Sequence, residues 1–170
     1  MRRFPFFVLA LGLVLNSLLT SELYGQDDSY ETKVGLSASL QAGQFDVLLP
    51  IWGSDHFSIA PAFGVVWGDG VGSDIHIGLV PRFFLHKDKV APYIGGRVGL
   101  LIASPKNGES TTDVITGLAF GGEYFLDEHF SLGVESQLNI TVSAEKSTRF
   151  GNPGKTNINT AASVFATIYF

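Results

Sequence analysis

The side chains of this 170-residue chain that could do chemistry recur at alternate positions. Asp74 and His76, two residues apart, would share one face of an extended segment and could form an acid–imidazole dyad for proton transfer. His129 and Ser131 stand in a His-x-Ser arrangement with Glu135 nearby, which supplies a base, a hydroxyl nucleophile and a carboxylate. Neither set is complete. No nucleophile accompanies Asp74 and His76, and the residues around His129 read as a turn that separates it from an inward-pointing Ser131. GNPGKT (151–156) echoes a phosphate-binding loop, but Arg149 stands where that loop needs its first glycine, and a strand follows where a helix should. GDGVGSD (68–74) brings Asp69 and Asp74 together at a spacing that fits no calcium loop. The sequence therefore predicts no catalytic residue, no metal site and no cofactor.

A second set of charges is better placed to act together. Asp46, Arg82, Arg97, Glu123 and Glu135 all fall on the less apolar face of their segments, at similar distances from the turns that flank them. Arg97 and Glu123 belong to neighbouring segments and are expected to pair. A charge confined in a narrow interior costs several kcal/mol unless it is matched. Phe84, Phe165, Tyr169, Leu48 and Leu101 share that face and add bulk, so the charges are expected to plug the interior rather than to ring a pore.

The elements that would hold these residues have period two, not 3.6. In His129–Ser143, Phe130, Leu132, Val134, Leu138, Ile140 and Val142 share one face, with Ser136 as the only gap. Seven more such segments fall near 33–41, 44–52, 57–67, 74–86, 91–102, 113–126 and 160–170, and none reads as an amphipathic helix. The connections alternate. Tight turns at 53–55, 87–89 and 127–128 are interleaved with GDGVGSD, SPKNGEST (104–111) and AEKSTRFGNPGKTN (144–157); only 42–43 is short on that side. Short turns at one end and longer loops at the other suit a membrane barrel.

A soluble lipocalin-like barrel would bury the apolar face and wet the polar one. Here the polar face is mostly Gly, Ser, Ala and Thr, as the narrow interior of an eight-stranded barrel requires. Aromatics on the apolar face cluster at strand ends: Phe57, Tyr124, Phe130 and Phe170 towards the turns, Trp67 and Phe45 towards the loops. Such girdles mark the two interfaces of a bilayer. The expected fold is all-β: an eight-stranded antiparallel up-and-down transmembrane β-barrel over residues 33–170.

Residues 1–25 read as a secretory signal peptide, with Arg2 and Arg3 ahead of the apolar stretch Phe4 to Leu19 and Leu-Tyr-Gly at 23–25 as the cleavage site. Residues 26–32 (QDDSYET) form a polar periplasmic lead-in. The chain has no cysteine, which excludes disulfides and a lipidated N-terminal cysteine. Loss of Arg2, Arg3 and Glu22 leaves 9 basic and 15 acidic residues, a net charge of −6 that disfavours nucleic acid as a partner.

The alternating last strand, with Ile168 and Phe170 on its apolar face, looks like the signal by which the barrel-assembly machinery recognises its clients. GGEYFLDEHFSLGVESQLN (121–139) resembles the final hairpins of the small outer-membrane barrel domains related to the OmpA and OmpW families. That resemblance implies a bacterial outer-membrane location, lipid as the surrounding solvent, and periplasmic chaperones and the assembly machinery as partners during biogenesis. It also implies a monomer with a non-enzymatic structural or surface-interaction role. Two alternatives remain open: a narrow conduit for small or apolar solutes, and a lipid A-modifying enzyme, since His129-x-Ser131 is arranged like the pair in lipid A deacylases.

Overall fold

A computed structural model describes residues 33–41 and 44–170. The signal peptide, the lead-in and the turn at 42–43 lie outside the described residues. The strands are β1 Gly35–Gln41, β2 Gln44–Leu48, β3 Ile51–Ser54, β4 Phe57–Gly68, β5 Gly72–Phe84, β6 Val90–Pro105, β7 Thr111–Phe125, β8 Phe130–Val142 and β9 Thr156–Tyr169. They are antiparallel and hydrogen-bonded in the order β2-β1-β9-β8-β7-β6-β5-β4-β3, and a β2–β4 pairing closes the ring. The seam between the ends of the sequence runs from Gly35↔Tyr169 to Gln41↔Ser163, and inside it the Thr167 hydroxyl donates to Ser37 at 3.0 Å. Because β2 and β3 form two halves of one strand, the result is a closed eight-stranded barrel.

The break in that strand has a local cause. Pro50 has no N–H to give to the ladder. The chain steps around it while staying paired through its neighbours: Leu49 N donates to Pro61 O, Gly35 N to Pro50 O, and Trp52 N to Lys33 O, all within 2.9 Å. β4, β5, β6, β7 and β9 outrun the predicted segments at the loop end. β9 begins at Thr156 because Thr156, Asn157, Ile158 and Asn159 pair with Val142, Thr141, Ile140 and Asn139. Those residues carry little apolar alternation, yet the backbone ladder continues past the apolar band.

The distribution of side chains is inverted relative to a water-soluble protein. Outward Val134 (62% exposed), Val98 and Leu118 lie open, whereas Glu123 (0%), Asn139, Thr141 and Ser131 are enclosed. A lipocalin-like barrel would show the reverse, and the soluble alternative is discarded on this ground. β8 alternates between exposed outward and buried inward residues along all 13 positions. A strand of that length, tilted about 45°, rises roughly 30 Å, the thickness of a bilayer's hydrocarbon core. No helix among the described residues is long and apolar enough to cross a membrane, and this fold crosses with strands. Trp67 and Phe45 stand exposed near the loops, and Tyr124, Phe130, Phe83 and Phe170 near the turns.

Inward glycines set the space available to large neighbours. A Cβ on Gly133 would overlap the Phe165 ring, and one on Gly121 would crowd the Tyr93 hydroxyl at 2.5 Å. Outward Gly122 has nothing within 4 Å of that position. Gly133→Ala is expected to lower stability by about 1–3 kcal/mol through overpacking, and Gly122→Ala to leave it unchanged. Urea unfolding of the refolded barrel in detergent, followed by tryptophan fluorescence, measures both.

Candidate functional site

The inward residues of the eight strands fill the lumen in layers. Nearest the turns, Trp52, Phe84, Tyr93, Phe165, Tyr169 and Ala91 form a buried cluster with Phe125 packed against it. Trp52 stacks on Phe84 with ring centroids 4.4 Å apart. This is the apolar floor.

Above it lies the charged layer. Arg82 on β5 donates through Nη2 to Glu135 Oε2 on β8 at 3.2 Å, and both side chains are at most 5% exposed. The Tyr93 hydroxyl donates to the same carboxylate oxygen at 2.7 Å, and Gln137 Nε2 donates to Oε1 at 2.6 Å. The Arg82 guanidinium lies 4.3 Å from the Phe165 ring centroid and 4.8 Å from that of Tyr93. Those contacts offset part of the loss of water around a buried cation. Glu123 accepts hydrogen bonds from the Ser131 hydroxyl at 2.5 Å and the Tyr169 hydroxyl at 2.7 Å.

Arg97 does not meet Glu123 as the sequence reading expects. The β6–β7 register sets Arg97 opposite Gly117 and Glu123 opposite Ala91. Six residues along a strand amount to roughly 20 Å, so the two charges sit at different heights. Arg97 instead reaches across the lumen, donating through Nη1 to Gln41 Oε1 at 3.0 Å and to Gln137 Oε1 at 2.9 Å. Asp46 contacts His76 Nδ1 at 3.4 Å in the next layer up. The five charges singled out in the sequence are thus all inward, but divided among three groups: Arg82 with Glu135, Arg97 and Asp46 above them, and Glu123 against the floor.

At the mouth stands a cluster of which periodicity gave only Asp74 and His76. Arg149, in the loop between β8 and β9, grips Asp74 with two hydrogen bonds, Nη1 to Oδ2 at 2.6 Å and Nη2 to Oδ1 at 2.5 Å. Its Nε lies 3.4 Å from Asp113 Oδ2. Asp113 also accepts from Ser147 Oγ at 2.7 Å and Ala144 N at 2.8 Å, and His76 Nε2 lies 3.3 Å from Asp74 Oδ1. Asp113 could have been found, since it occupies an inward position of its strand. Arg149 could not, because its loop has no period.

The enzyme-like pairs do not assemble into a reacting site. His129 is exposed in the turn after β7, where Asp127 Oδ1 accepts from its backbone N at 2.7 Å, while the Ser131 hydroxyl is enclosed and donates to Glu123. Asp74 is held by Arg149 as well as contacting His76. Among the described residues, no group of three or more His, Asp or Glu is arranged to hold a metal ion. Beside Asp46, His76 and Arg97 a cavity of about 20 Å³ remains, which is room for about one water.

These features define a class: a closed, inside-out transmembrane β-barrel of eight strands with a filled polar lumen. Two solved structures share that fold. The chain is similar to Neisserial surface protein A (15% identity, TM-score 0.54, spanning 82% of this chain and 94% of that one). It is also similar to the N-terminal β-barrel domain of Pseudomonas aeruginosa OprF (13% identity, TM-score 0.55, spanning 82% and 96%). Both are eight-stranded outer-membrane barrels, and at these identities the likeness is one of fold. No protein-family model matches the sequence, and no curated protein does.

Removing one member of a buried ion pair strands the other. Glu135→Gln or Arg82→Met is therefore expected to destabilise the barrel by about 3–5 kcal/mol, with much of the loss recovered in the Arg82→Met/Glu135→Met double variant. Arg97→Met, whose hydrogen-bond acceptors are neutral amides, should cost less, about 1–3 kcal/mol. Chemical unfolding of the four variants in one detergent gives the ranking.

Proposed function

We propose that this chain is an integral protein of the bacterial outer membrane with a non-enzymatic role, structural or in contacts made at the surface by its loops. The carrying observation is the lumen. It is packed from the Trp52–Phe84 floor through the Arg82–Glu135 layer to the Arg149 cap, and the space left beside Asp46 and His76 is about 20 Å³. A conduit needs a continuous path, and a lipid-modifying enzyme needs its reacting groups together at the lipid-facing rim. The outward shell and the four loop-end connections are what remain to act.

The likeness to barrels of the outer membrane supports that location. Under this reading the chain reaches the membrane through the signal peptide, periplasmic chaperones and the assembly machinery, which would read the outward Ile168 and Phe170. It works there as a monomer surrounded by lipid.

In planar bilayers the refolded protein is expected to give no sustained conductance steps. Regular open steps would transfer the assignment to a conduit, and substitution of Arg82 or Glu135 should then alter them. A lipid A mass profile unchanged by expression of the chain is the expected result for a non-enzyme; loss of an acyl chain would overturn it.

A further inference from the structure

The loop between β8 and β9 is attached to the barrel in an unusual way. Its backbone bonds turn inward on itself: Ser147 N and Gly154 N donate to Ala144 O, Gly151 N to Thr148 O, and Lys155 N to Asn152 O. Gly151 (φ 66°) and Gly154 (φ 67°) adopt left-handed conformations, which glycine takes without strain. Apart from the rung from Ser143 N to Lys155 O at its base, the ties from this folded loop to the rest of the mouth involve side chains. Arg149 holds Asp74 and Asp113, Ser147 holds Asp113, and Lys146 meets Glu109 at 2.5 Å in the loop between β6 and β7. Asp113 also takes the N–H of Ala144, where the loop leaves β8.

The placement of Asp74 gives these ties their meaning. In the closed ring β5 lies diametrically opposite β9, with β6, β7 and β8 between them. A loop springing from β8 and β9 that grips a β5 carboxylate therefore spans the full width of the mouth. Arg149 is only 18% exposed in doing so. Below it the wall carries Asp46, His76 and Arg97, and below them the Arg82–Glu135 layer and the aromatic floor close the way down.

We propose that residues 144–155 form a hinged strap, latched by Arg149, that closes the loop-end mouth of the lumen. Once the guanidinium leaves Asp74 and Asp113, only the contacts of Ser147 and Ala144 with Asp113 and the exposed Lys146–Glu109 pair remain to be broken, and the strap swings out with the β8–β9 rungs, the last of them Ser143 N to Lys155 O, intact. Release also leaves two carboxylates facing the opening above Asp46, so cations approach the opened mouth more readily than anions. The Arg82–Glu135 layer stays closed below, so opening exposes the upper wall and makes no channel. This inference rests on the membrane-barrel reading, and the two fail in different ways.

The chain has no cysteine, so a single introduced thiol reports access. Ala62 lines the cavity beside Asp46 and His76, and Ser131 lies enclosed near the floor. The probe is the trimethylammonium-ethyl methanethiosulfonate cation, with its sulfonate analogue for comparison, and modification is followed by mass in the refolded protein. Ala62→Cys alone should react slowly. Adding Arg149→Gln, or Asp74→Asn from the other side of the latch, should speed reaction with the cation by about tenfold or more, in proportion to the opened population. The anion should gain less, and Ser131→Cys should stay unmodified in every background.

A heat-dependent gel shift shows that each variant is a folded barrel; its loss in the protein carrying only Ala62→Cys would count against the barrel itself. If Arg149→Gln alone loses the shift, Asp74→Asn decides. The strap is overturned if Ala62→Cys already reacts at the accelerated rate with the latch intact, or if folded latch variants leave its rate unchanged.

Discussion

The structure depends on one constraint: within a bilayer every backbone N–H and C=O must find its partner inside the protein. An open sheet has two unpaired edges, so the ring must close. Closure at eight strands fixes a lumen so narrow that side chains fill it. The rest follows from that width. Inward positions must be small where a neighbour is large, as at Gly133 beside Phe165 and Gly121 beside Tyr93. Charges admitted to the lumen must be answered from another wall, as Arg82 on β5 is by Glu135 on β8.

The polar interior is therefore a packing solution of its own kind. An ordinary core gains by removing apolar area from water, whereas here that area faces lipid and the interior is held by directional bonds. Gln137 illustrates the economy: its Nε2 donates to Glu135 while its Oε1 accepts from Arg97, so one amide links the charged layer to the one above. The aromatic floor is the exception, with Trp52 stacked on Phe84 and flanked by Tyr169.

Period-two alternation carries the strand number, the faces and the inside-out sense, because each depends only on which residues alternate. Heights in the lumen depend on register, and register is set by turn length and strand stagger, which no single strand records. That is why Asp46, Arg82, Arg97, Glu123 and Glu135 could be placed inside while the expected pairing of Arg97 with Glu123 failed. The break at Pro50 was readable in principle from its missing N–H, yet the hydrophobic pattern runs straight through it from Phe45 to Ile51. Arg149 lay beyond reach for a different reason. A loop residue that acts across the diameter of a barrel has no local signature.

The seam between β1 and β9 has a consequence in time. The hydrogen bond from Thr167 to Ser37 joins residues 130 apart in sequence. No hairpin made earlier can substitute for it, because until β9 arrives β1 presents an unpaired edge. Contacts of such long range make folding slow, and their entropy cost falls before any reward. Until β9 arrives, the open edges of the partly built sheet must be kept from other chains, and the ring is complete only when β9 meets β1.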